Sequence, residues 1–196
     1  MANIELIKQL RADTGAGLSD VKEALEICKD DYEAAKSYLA KKGIAKADKR
    51  ADREANQGVI ASYIHTTNKI GVLVEVNSET DFVARSEDFQ NFAKNVAMQI
   101  CAMSPLYLDE SEIPANIRQE FVEEVANDPK FTGKPEKIRN NIVDAKMKTY
   151  AEEYCLLKQK FFKDSSVSIE EMMKGLSGKV GEAIRIKRFV RFEVGA

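Results

Sequence analysis

The hydrophobic periodicity of the chain changes three times, and these changes limit the possible folds more than any other feature. Apolar residues recur at helical spacing in residues 4–39, alternate with other residues in residues 59–77, return to helical spacing from residue 86, and take a strand pattern again in residues 182–194. The alternating stretch from Ile70 to Val76 is typical of a strand with one buried face. The pattern therefore predicts an α+β fold.

Three strands are expected to form one antiparallel sheet covered by helices. Residues 59–65 and 70–77 are β-rich runs joined by a short turn, which predicts a β-hairpin. Residues 182–194 are expected to form a long strand that pairs with it. The apolar residues of that strand that share one phase are Ile184, Ile186, Val190, Phe192 and Val194. Arg188 and Phe189 interrupt the alternation, which predicts a bulge or an interface on the second face.

Capping and turn residues divide the chain into segments. Residues 1–44 are expected to form a three-helix module, in which Asn3 caps the first helix and Gly43 ends the third as a C′ glycine. If residues 45–56 form a helix, charged residues lie on nearly every side of it. The basic residues among them could bind nucleic acid, but interleaved acidic residues favour a solvated linker that buries nothing. The remaining predicted segments are a sheet-and-helix core, residues 57–113 and 159–196, and an inserted helical hairpin, residues 114–158.

The charge balance and hydropathy of the chain exclude several classes of partner. Lys and Arg number 30 and Asp and Glu number 32, so the net charge of -2 gives no bulk attraction to nucleic acid or to an anionic membrane. No apolar run is long enough to span a membrane, and the first residues do not resemble a leader peptide. A cytoplasmic location is therefore expected.

The residue types needed for catalysis are sparse. Cys28, Cys101 and Cys155 are odd in number and far apart, which favours reduced, buried thiols over disulfides or reactive thiols. His65 is the only histidine and has no Ser or Cys nucleophile near it in the sequence, so neither a metal site nor a catalytic residue is expected. Glycine-rich phosphate-binding motifs are absent, and no cofactor is predicted. A binding protein is favoured over an enzyme.

One short motif stands out in the expected strand-to-helix turn. In Thr80-Asp81-Phe82-Val83 a large aromatic residue follows a carboxylate. Phe82 is either a core residue beside a polar turn or an outward side chain that a loop presents to a partner. Because buried aromatic residues are far more common than exposed ones, the residues alone favour the core interpretation.

Three motifs are spread over the chain, namely residues 10–25 (LRADTGAGLSDVKEAL), residues 75–84 (EVNSETDFVA) and residues 188–195 (RFVRFEVG). Together they resemble the elongation factor Ts family. The resemblance implies a guanine-nucleotide exchange factor that binds elongation factor Tu in its GDP-bound and nucleotide-free forms. It also implies that the N-terminal module has a ubiquitin-associated-like three-helix fold.

The same resemblance implies which residues contact the partner, and it reverses the interpretation of Phe82. Asp81 and Phe82, flanked by Thr80 and Val83, would reach into the G domain of elongation factor Tu. The phenylalanine would wedge in near the magnesium and phosphate site, so that magnesium coordination is lost and GDP is released. A second contact with the G domain is implied for the N-terminal module, through Lys8, Arg11, Leu18, Ser19 and Lys22.

A homodimer is a further expectation from this resemblance. Long members of the family have two sheet-and-helix units, one with the Thr-Asp-Phe-Val loop and one with a histidine-bearing hairpin that touches another partner domain. Here one hairpin carries both Phe82 and His65. Two copies could pack their sheets face to face through the second face of the closing strand, where Phe189 interrupts a charged row. Elongation factor Tu would then contact Phe82 of one copy and His65 of the other.

A function of another class stays open as the alternative. The three-helix module could bind a ubiquitin-like or ribosomal partner, with the rest of the chain as a scaffold. Such an adaptor would have no effect on nucleotide release.

Overall fold

A computed structural model describes residues 4–131 and 133–196. The elements, in chain order, are α1 (Ile4–Thr14), α2 (Leu18–Ile27), α3 (Tyr32–Asp48), β1 (Gln57–Ile64), β2 (Ile70–Ser78), α4 (Asp81–Ala84), α5 (Glu87–Met103), a 3₁₀ turn (Glu110–Glu112), α6 (Ala115–Asn127), α7 (Glu136–Tyr154), β3 (Lys160–Phe161), β4 (Asp164–Ser168), α8 (Ile169–Val180) and β5 (Arg185–Glu193). The α+β class predicted from the sequence is confirmed. The predicted cap Asn3 lies outside the described residues.

The chain divides into two compact units. The first contains the chain up to Met98 together with Glu170–Ala196, and the second is Gln99–Ile169. The first unit therefore holds the N-terminal helices, the main sheet and most of α8. The predicted segment boundaries differ from this division and stay a prediction.

The three N-terminal helices pack around a small apolar core. Its buried members are Ile7, Leu10, Val21, Ala24, Leu25, Ala35 and Leu39. Gly15 has a φ of 65° in the turn between α1 and α2, a conformation that glycine adopts without strain. Asp31 caps α3, since its carboxylate accepts a hydrogen bond from the Ala34 N–H at 2.9 Å. These contacts explain how so short a segment closes its own core.

Gly43 does not end the third helix, and that prediction is wrong. Helix α3 continues through Gly43 to Asp48. Gly43 instead lies against Gly178 of α8, where an added Cβ on Gly178 would be 2.8 Å from the Gly43 Cα. The glycine at this position lets two backbones approach closely, a role that the sequence does not distinguish from a C′ cap.

The sequence predicts a solvated linker over residues 45–56, but the structure shows that this segment packs against other parts of its unit. Ala47 and Ala55 are buried. The Arg185 guanidinium donates hydrogen bonds to the carbonyls of Ala51 and Arg53, the latter at 2.7 Å. The alanines, although the smallest apolar residues, allow the segment to pack against its own unit while most of its charged side chains stay exposed.

The main sheet has the order β1-β2-β5, and both pairings are antiparallel. Val72, Val74 and Val76 form the buried row of the central strand. Helix α5 buries the stripe predicted for it, namely Phe89, Phe92, Ala93, Val96, Ala97 and Ile100. The predicted hairpin and closing strand are thus confirmed.

A bulge in β5 is also confirmed, and it changes which side chains share a face. Glu75 pairs with Arg188, whereas the next residue of β2, Val76, pairs with Ile186. Lys187 is therefore the extra residue, and the side chains on either side of it exchange faces.

The predicted single phase of the apolar residues in β5 is therefore wrong. Val190 pairs with Leu73 and both are exposed, so they lie on the face opposite Ile186. Phe189 pairs with buried Val74, so it does not interrupt a charged row on the second face as predicted. Opposed residues in an antiparallel pair project to the same side of the sheet.

The second face of the sheet is solvent-exposed and largely apolar. We call it the outward sheet face; its exposed apolar members are Ile60, Ile64, Leu73, Val190 and Phe192. An ion pair on the same face joins Arg188 and Glu75 at 2.8 Å. Contiguous apolar surface of this kind is typical of a contact surface.

The second unit contains the predicted helical hairpin. Helices α6 and α7 pack together and bury Val125 and Val143. The rings of Phe121 and Tyr150 lie edge to face with centroids 5.9 Å apart. An Arg118–Asp144 ion pair at 2.8 Å joins the two helices at the surface.

Candidate functional site

The turn after β2 presents Phe82 to solvent. Thr80 has an extended backbone and caps α4, because its Oγ1 accepts a hydrogen bond from the Val83 N–H at 3.3 Å. Val83 and Ala84 are buried, whereas Phe82 is 82% exposed. The core interpretation that the residues alone favoured is therefore wrong, and the observed orientation is the outward one that the family resemblance implied. The four-residue helix buries its last two side chains and leaves its first two outside.

The turn is tied to the segment between α8 and β5 by two carboxylates. Glu182 accepts hydrogen bonds from the Thr80 N–H at 3.0 Å and from the Thr80 hydroxyl at 2.7 Å. Glu79 accepts one from the Ala183 N–H at 2.7 Å, and the Arg53 guanidinium lies 3.3 Å away. The Ala183 N–H, aided by Arg53, lowers the pKa of Glu79. Sequence reasoning missed Glu182, because no local pattern marks a residue 102 positions from its partner.

Asp81 is exposed beside Phe82 and is held by a single surface ion pair. Its carboxylate lies 2.8 Å from the Arg85 guanidinium, and both side chains are mostly solvated. Exposed pairs of this kind contribute roughly 0.2–1 kcal/mol. The Asp81 carboxylate can therefore exchange Arg85 for another donor at little cost.

His65 lies in the turn of the β1–β2 hairpin, where Asn68 has a φ of 56°. The Tyr63 hydroxyl and His65 Nδ1 are 3.4 Å apart, and the His65 ring is half-buried. His65 and Phe82 lie beyond opposite ends of β2, whose 9 residues span roughly 27 Å. One copy of the chain does not bring the two side chains together.

The five residues predicted for the N-terminal contact are all exposed. Lys8 and Arg11 lie on α1, and the others, Leu18, Ser19 and Lys22, lie in the first half of α2. Ile4, on the same helix as Lys8 and Arg11, is also exposed. Ile4, Lys8 and Arg11 are at helical spacing, so an exposed apolar residue extends the predicted basic surface of α1.

An ion-pair network holds α2 against α3 behind these residues. The Asp20 carboxylate contacts Lys46 at 2.6 Å and Lys42 at 3.0 Å, and these hydrogen-bonded lysines lower the pKa of Asp20. Glu23 accepts from Lys42 at 2.8 Å and from the Tyr38 hydroxyl at 2.9 Å. The network fixes the helix that carries Leu18 and Lys22.

The described residues offer binding surfaces and few reactive groups. Within residues 4–131 and 133–196, no group of three His, Cys, Asp or Glu side chains could hold a metal ion, and no helix could cross a membrane. Cys155 is buried, and desolvation raises the pKa of its thiol to about 11. At neutral pH it is therefore a protonated thiol and not a nucleophile.

Comparison with known proteins identifies the family. The family model described as elongation factor TS matches residues 26–196. Elongation factor Ts of Thermosipho melanesiensis is 45% identical over 195 residues, with both chains covered completely. Elongation factor Ts of Desulfosudis oleivorans is 46% identical over 194 residues, 97% of this chain and 96% of that protein. The protein of the same name from Solidesulfovibrio magneticus is 48% identical over 189 residues, 96% and 94% of the two chains. The chain therefore belongs to the elongation factor Ts family of translation elongation factors.

Proposed function

We propose that this protein is a guanine-nucleotide exchange factor for elongation factor Tu and acts by binding alone. The observation that carries the proposal is the 82% exposure of Phe82 on a turn fixed by hydrogen bonds. Leaving a large aromatic side chain in water forfeits about 1.5–3 kcal/mol of burial energy. Contact with a partner would recover this energy.

The exchange mechanism follows from differential affinity. Phe82 enters the partner near its magnesium and phosphate site, and Asp81 exchanges its ion pair with Arg85 for a donor of the partner. The factor then binds the nucleotide-free partner more tightly than the GDP-bound one, which is the only way in which binding can expel GDP. By reciprocity, GDP expels the factor, so exchange is accelerated without a preferred direction. Thr80 and Val83 support the contact, the first as cap and the second as a buried anchor.

The three-helix segment supplies the second contact with the G domain. Exposed side chains on α1 and α2 provide affinity, namely the basic Lys8, Arg11 and Lys22, the apolar Leu18 and the polar Ser19. The protein needs no cofactor or metal of its own for this role, does not bind nucleic acid directly, and works in the cytoplasm where translation takes place.

The working form is a homodimer joined through the outward sheet face. Exposed Leu73, Val190, Ile64 and Phe192 give this face its apolar character. Packing two such faces would bury it and would let Phe82 of one copy and His65 of the second copy contact one partner molecule. In this dimer contact, Val190 and Phe192 take the place that the sequence analysis assigned to Phe189.

A nucleotide-release assay tests the proposal. Elongation factor Tu loaded with a fluorescent GDP analogue is mixed with catalytic amounts of the protein, and the release rate is followed against excess GDP. Acceleration that saturates with protein concentration supports the proposal. An unchanged release rate contradicts it and favours the adaptor alternative. Light scattering of the purified protein tests the dimer, and a strictly monomeric protein with full exchange activity contradicts that part.

A further inference from the structure

Phe82 needs support from outside its own helix. Helix α4 has four residues, and a single helical turn is unstable alone because its nucleation is costly. The direction in which Phe82 points therefore depends on what holds Thr80, the cap residue. Glu182 holds the N–H and the hydroxyl of Thr80, whereas the Thr80 carbonyl accepts a hydrogen bond from the buried Ser78 hydroxyl at 2.8 Å.

The Thr80 hydroxyl has one hydrogen to donate and lone pairs to accept with. It donates that hydrogen to Glu182 Oε1 at 2.7 Å, which leaves its lone pairs for the Val83 N–H at 3.3 Å. The other carboxylate oxygen of Glu182 takes the Thr80 N–H at 3.0 Å. The carboxylate thus fixes both the backbone and the hydroxyl rotor of the cap.

Glu182 is itself held in place. Gly181 has a φ of 80°, which turns the chain between α8 and β5, and the Ser177 hydroxyl donates to the Glu182 carbonyl at 2.6 Å. On the next residue, the Ala183 N–H donates to Glu79 at 2.7 Å. Each carboxylate therefore binds the backbone next to the other, and the two turns are locked reciprocally.

We infer that Glu182 is the positioning residue of Phe82: its carboxylate aligns Thr80 as the cap of α4 and so fixes the direction of the Phe82 side chain for entry into the partner. This inference deepens the proposed exchange function and rests on it. Glu182 acts through Thr80 and does not itself need to touch the partner. Loss of its carboxylate should lower the rate of GDP release in the bound complex and leave the affinity, which other surfaces supply, nearly unchanged.

The Glu182→Gln variant tests this role with little change in volume. A glutamine keeps an acceptor for the Thr80 N–H but turns an NH2 group toward the Thr80 hydroxyl, so the charge-assisted bond that the hydroxyl donates becomes a neutral bond that it accepts. We expect the maximal rate of GDP release to fall about tenfold, the factor that corresponds to the difference between a charge-assisted and a neutral hydrogen bond, at an unchanged half-saturating concentration. Glu182→Ala should reduce the rate further. Glu33→Gln, at an exposed position of α3, is the matched control with a wild-type rate.

A double-mutant comparison separates positioning from general stability. In a Phe82→Ala background, Glu182→Gln should have no further effect on the maximal rate, because its effect passes through the phenylalanine. An equal fold-loss in both backgrounds would overturn the inference, since Glu182 would then act independently of Phe82.

A readout without elongation factor Tu distinguishes failure of this inference from failure of the proposed function. Amide hydrogen exchange of Val83 should be about tenfold faster in Glu182→Gln than in the wild-type chain, because its acceptor is no longer aligned. Unchanged exchange at Val83 overturns the positioning role whatever the nucleotide assay gives. Failure of the wild-type protein to release GDP contradicts the proposed function instead.

Discussion

The Phe82 turn and the three-helix segment are both held by residues 175–185, but by different kinds of contact. The turn is held by directional hydrogen bonds to Glu182 and Ala183. The three-helix segment is held by close backbone packing of Gly43 against Gly178. Residues 175–185 thus support both of the proposed contact surfaces.

The difference between these contacts predicts which property each surface controls. Hydrogen bonds fix the direction of a side chain, and a loss of one acceptor misaligns it while the core stays packed. Close packing fixes the distance between two helices, and even one added methyl group is costly there. Substitutions at the turn should therefore change the rate of nucleotide release. Substitutions at the glycine contact should instead change the stability of the protein and the position of the three-helix segment.

Phe82→Ala should have the largest effect among the variants that test this difference. We expect the rate of GDP release from elongation factor Tu to fall about 100-fold, as for an aromatic hot spot, with an unchanged melting temperature because the side chain is 82% exposed. Phe89→Ala is the matched control. That ring is fully buried, so its loss should cost about 3–5 kcal/mol of unfolding free energy. A large drop in the melting temperature of Phe82→Ala would contradict the proposed role.

Gly178→Ala tests the packing contact. The added Cβ would lie 2.8 Å from the Gly43 Cα and 2.9 Å from its carbonyl oxygen, so backbone must move. Overpacking costs about 1–3 kcal/mol, and the better helix propensity of alanine returns up to about 1 kcal/mol. We expect a net loss of up to about 2 kcal/mol in chemical denaturation.

Gly175→Ala is the control for that variant in the same helix. No atom lies within 4 Å of its added Cβ, so only the helix propensity changes and the protein should gain about 1 kcal/mol. A gain of stability in both variants would show that the Gly43–Gly178 contact is not close in solution.

The same contrast explains what the sequence could predict. The central strand was predictable because Val72, Val74 and Val76 alternate with other residues, and a two-residue apolar period matches the geometry of a strand and not that of a helix. Gly43 was misinterpreted because a glycine required by a neighbouring helix has the same local pattern as a helix-ending glycine. Local patterns report the secondary structure of a segment, but they do not report which distant segment packs against it.

The candidate site shows the same limit. The Thr80-Asp81-Phe82-Val83 turn was located from the sequence, but its residues alone favoured a buried ring, and only the family resemblance implied the exposed side chain that is observed. Glu182 is remote in sequence, so nothing in the local pattern indicated it. The bulge at Lys187 was indicated by a broken alternation, yet its effect on the faces of Val190 and Phe192 required the register.

Leu18→Ala should have a smaller effect. It tests whether α2 controls the affinity for the partner while the Phe82 turn controls the rate of GDP release. Leu18 is exposed at the start of α2, so its loss should raise the half-saturating concentration in the release assay about fivefold, as for a peripheral apolar contact. The maximal rate should stay the same, because the Phe82 turn is intact. Ile27→Ala, also exposed on α2, is the control with unchanged values. A lower maximal rate for Leu18→Ala would contradict the separation of affinity from release.

The smallest expected effect is the acid sensitivity of the contact between Glu79 and Ala183. The Ala183 N–H lowers the pKa of Glu79 below its ordinary value of 4.5, so this carboxylate is charged more readily in the folded than in the unfolded chain. Its stabilisation is complete above pH 4.5 and is lost as the pH falls through the lower folded pKa. Glu79→Gln should therefore cost about 1 kcal/mol at neutral pH, and the difference from the wild-type chain should shrink in acid. Urea denaturation over this pH range measures the difference.

Gly175→Ala, which changes no titratable group, should differ from the wild-type chain by the same free energy at every pH. A difference between Glu79→Gln and the wild-type chain that does not shrink below pH 4.5 would show that the hydrogen bond from Ala183 does not depend on the charge of Glu79.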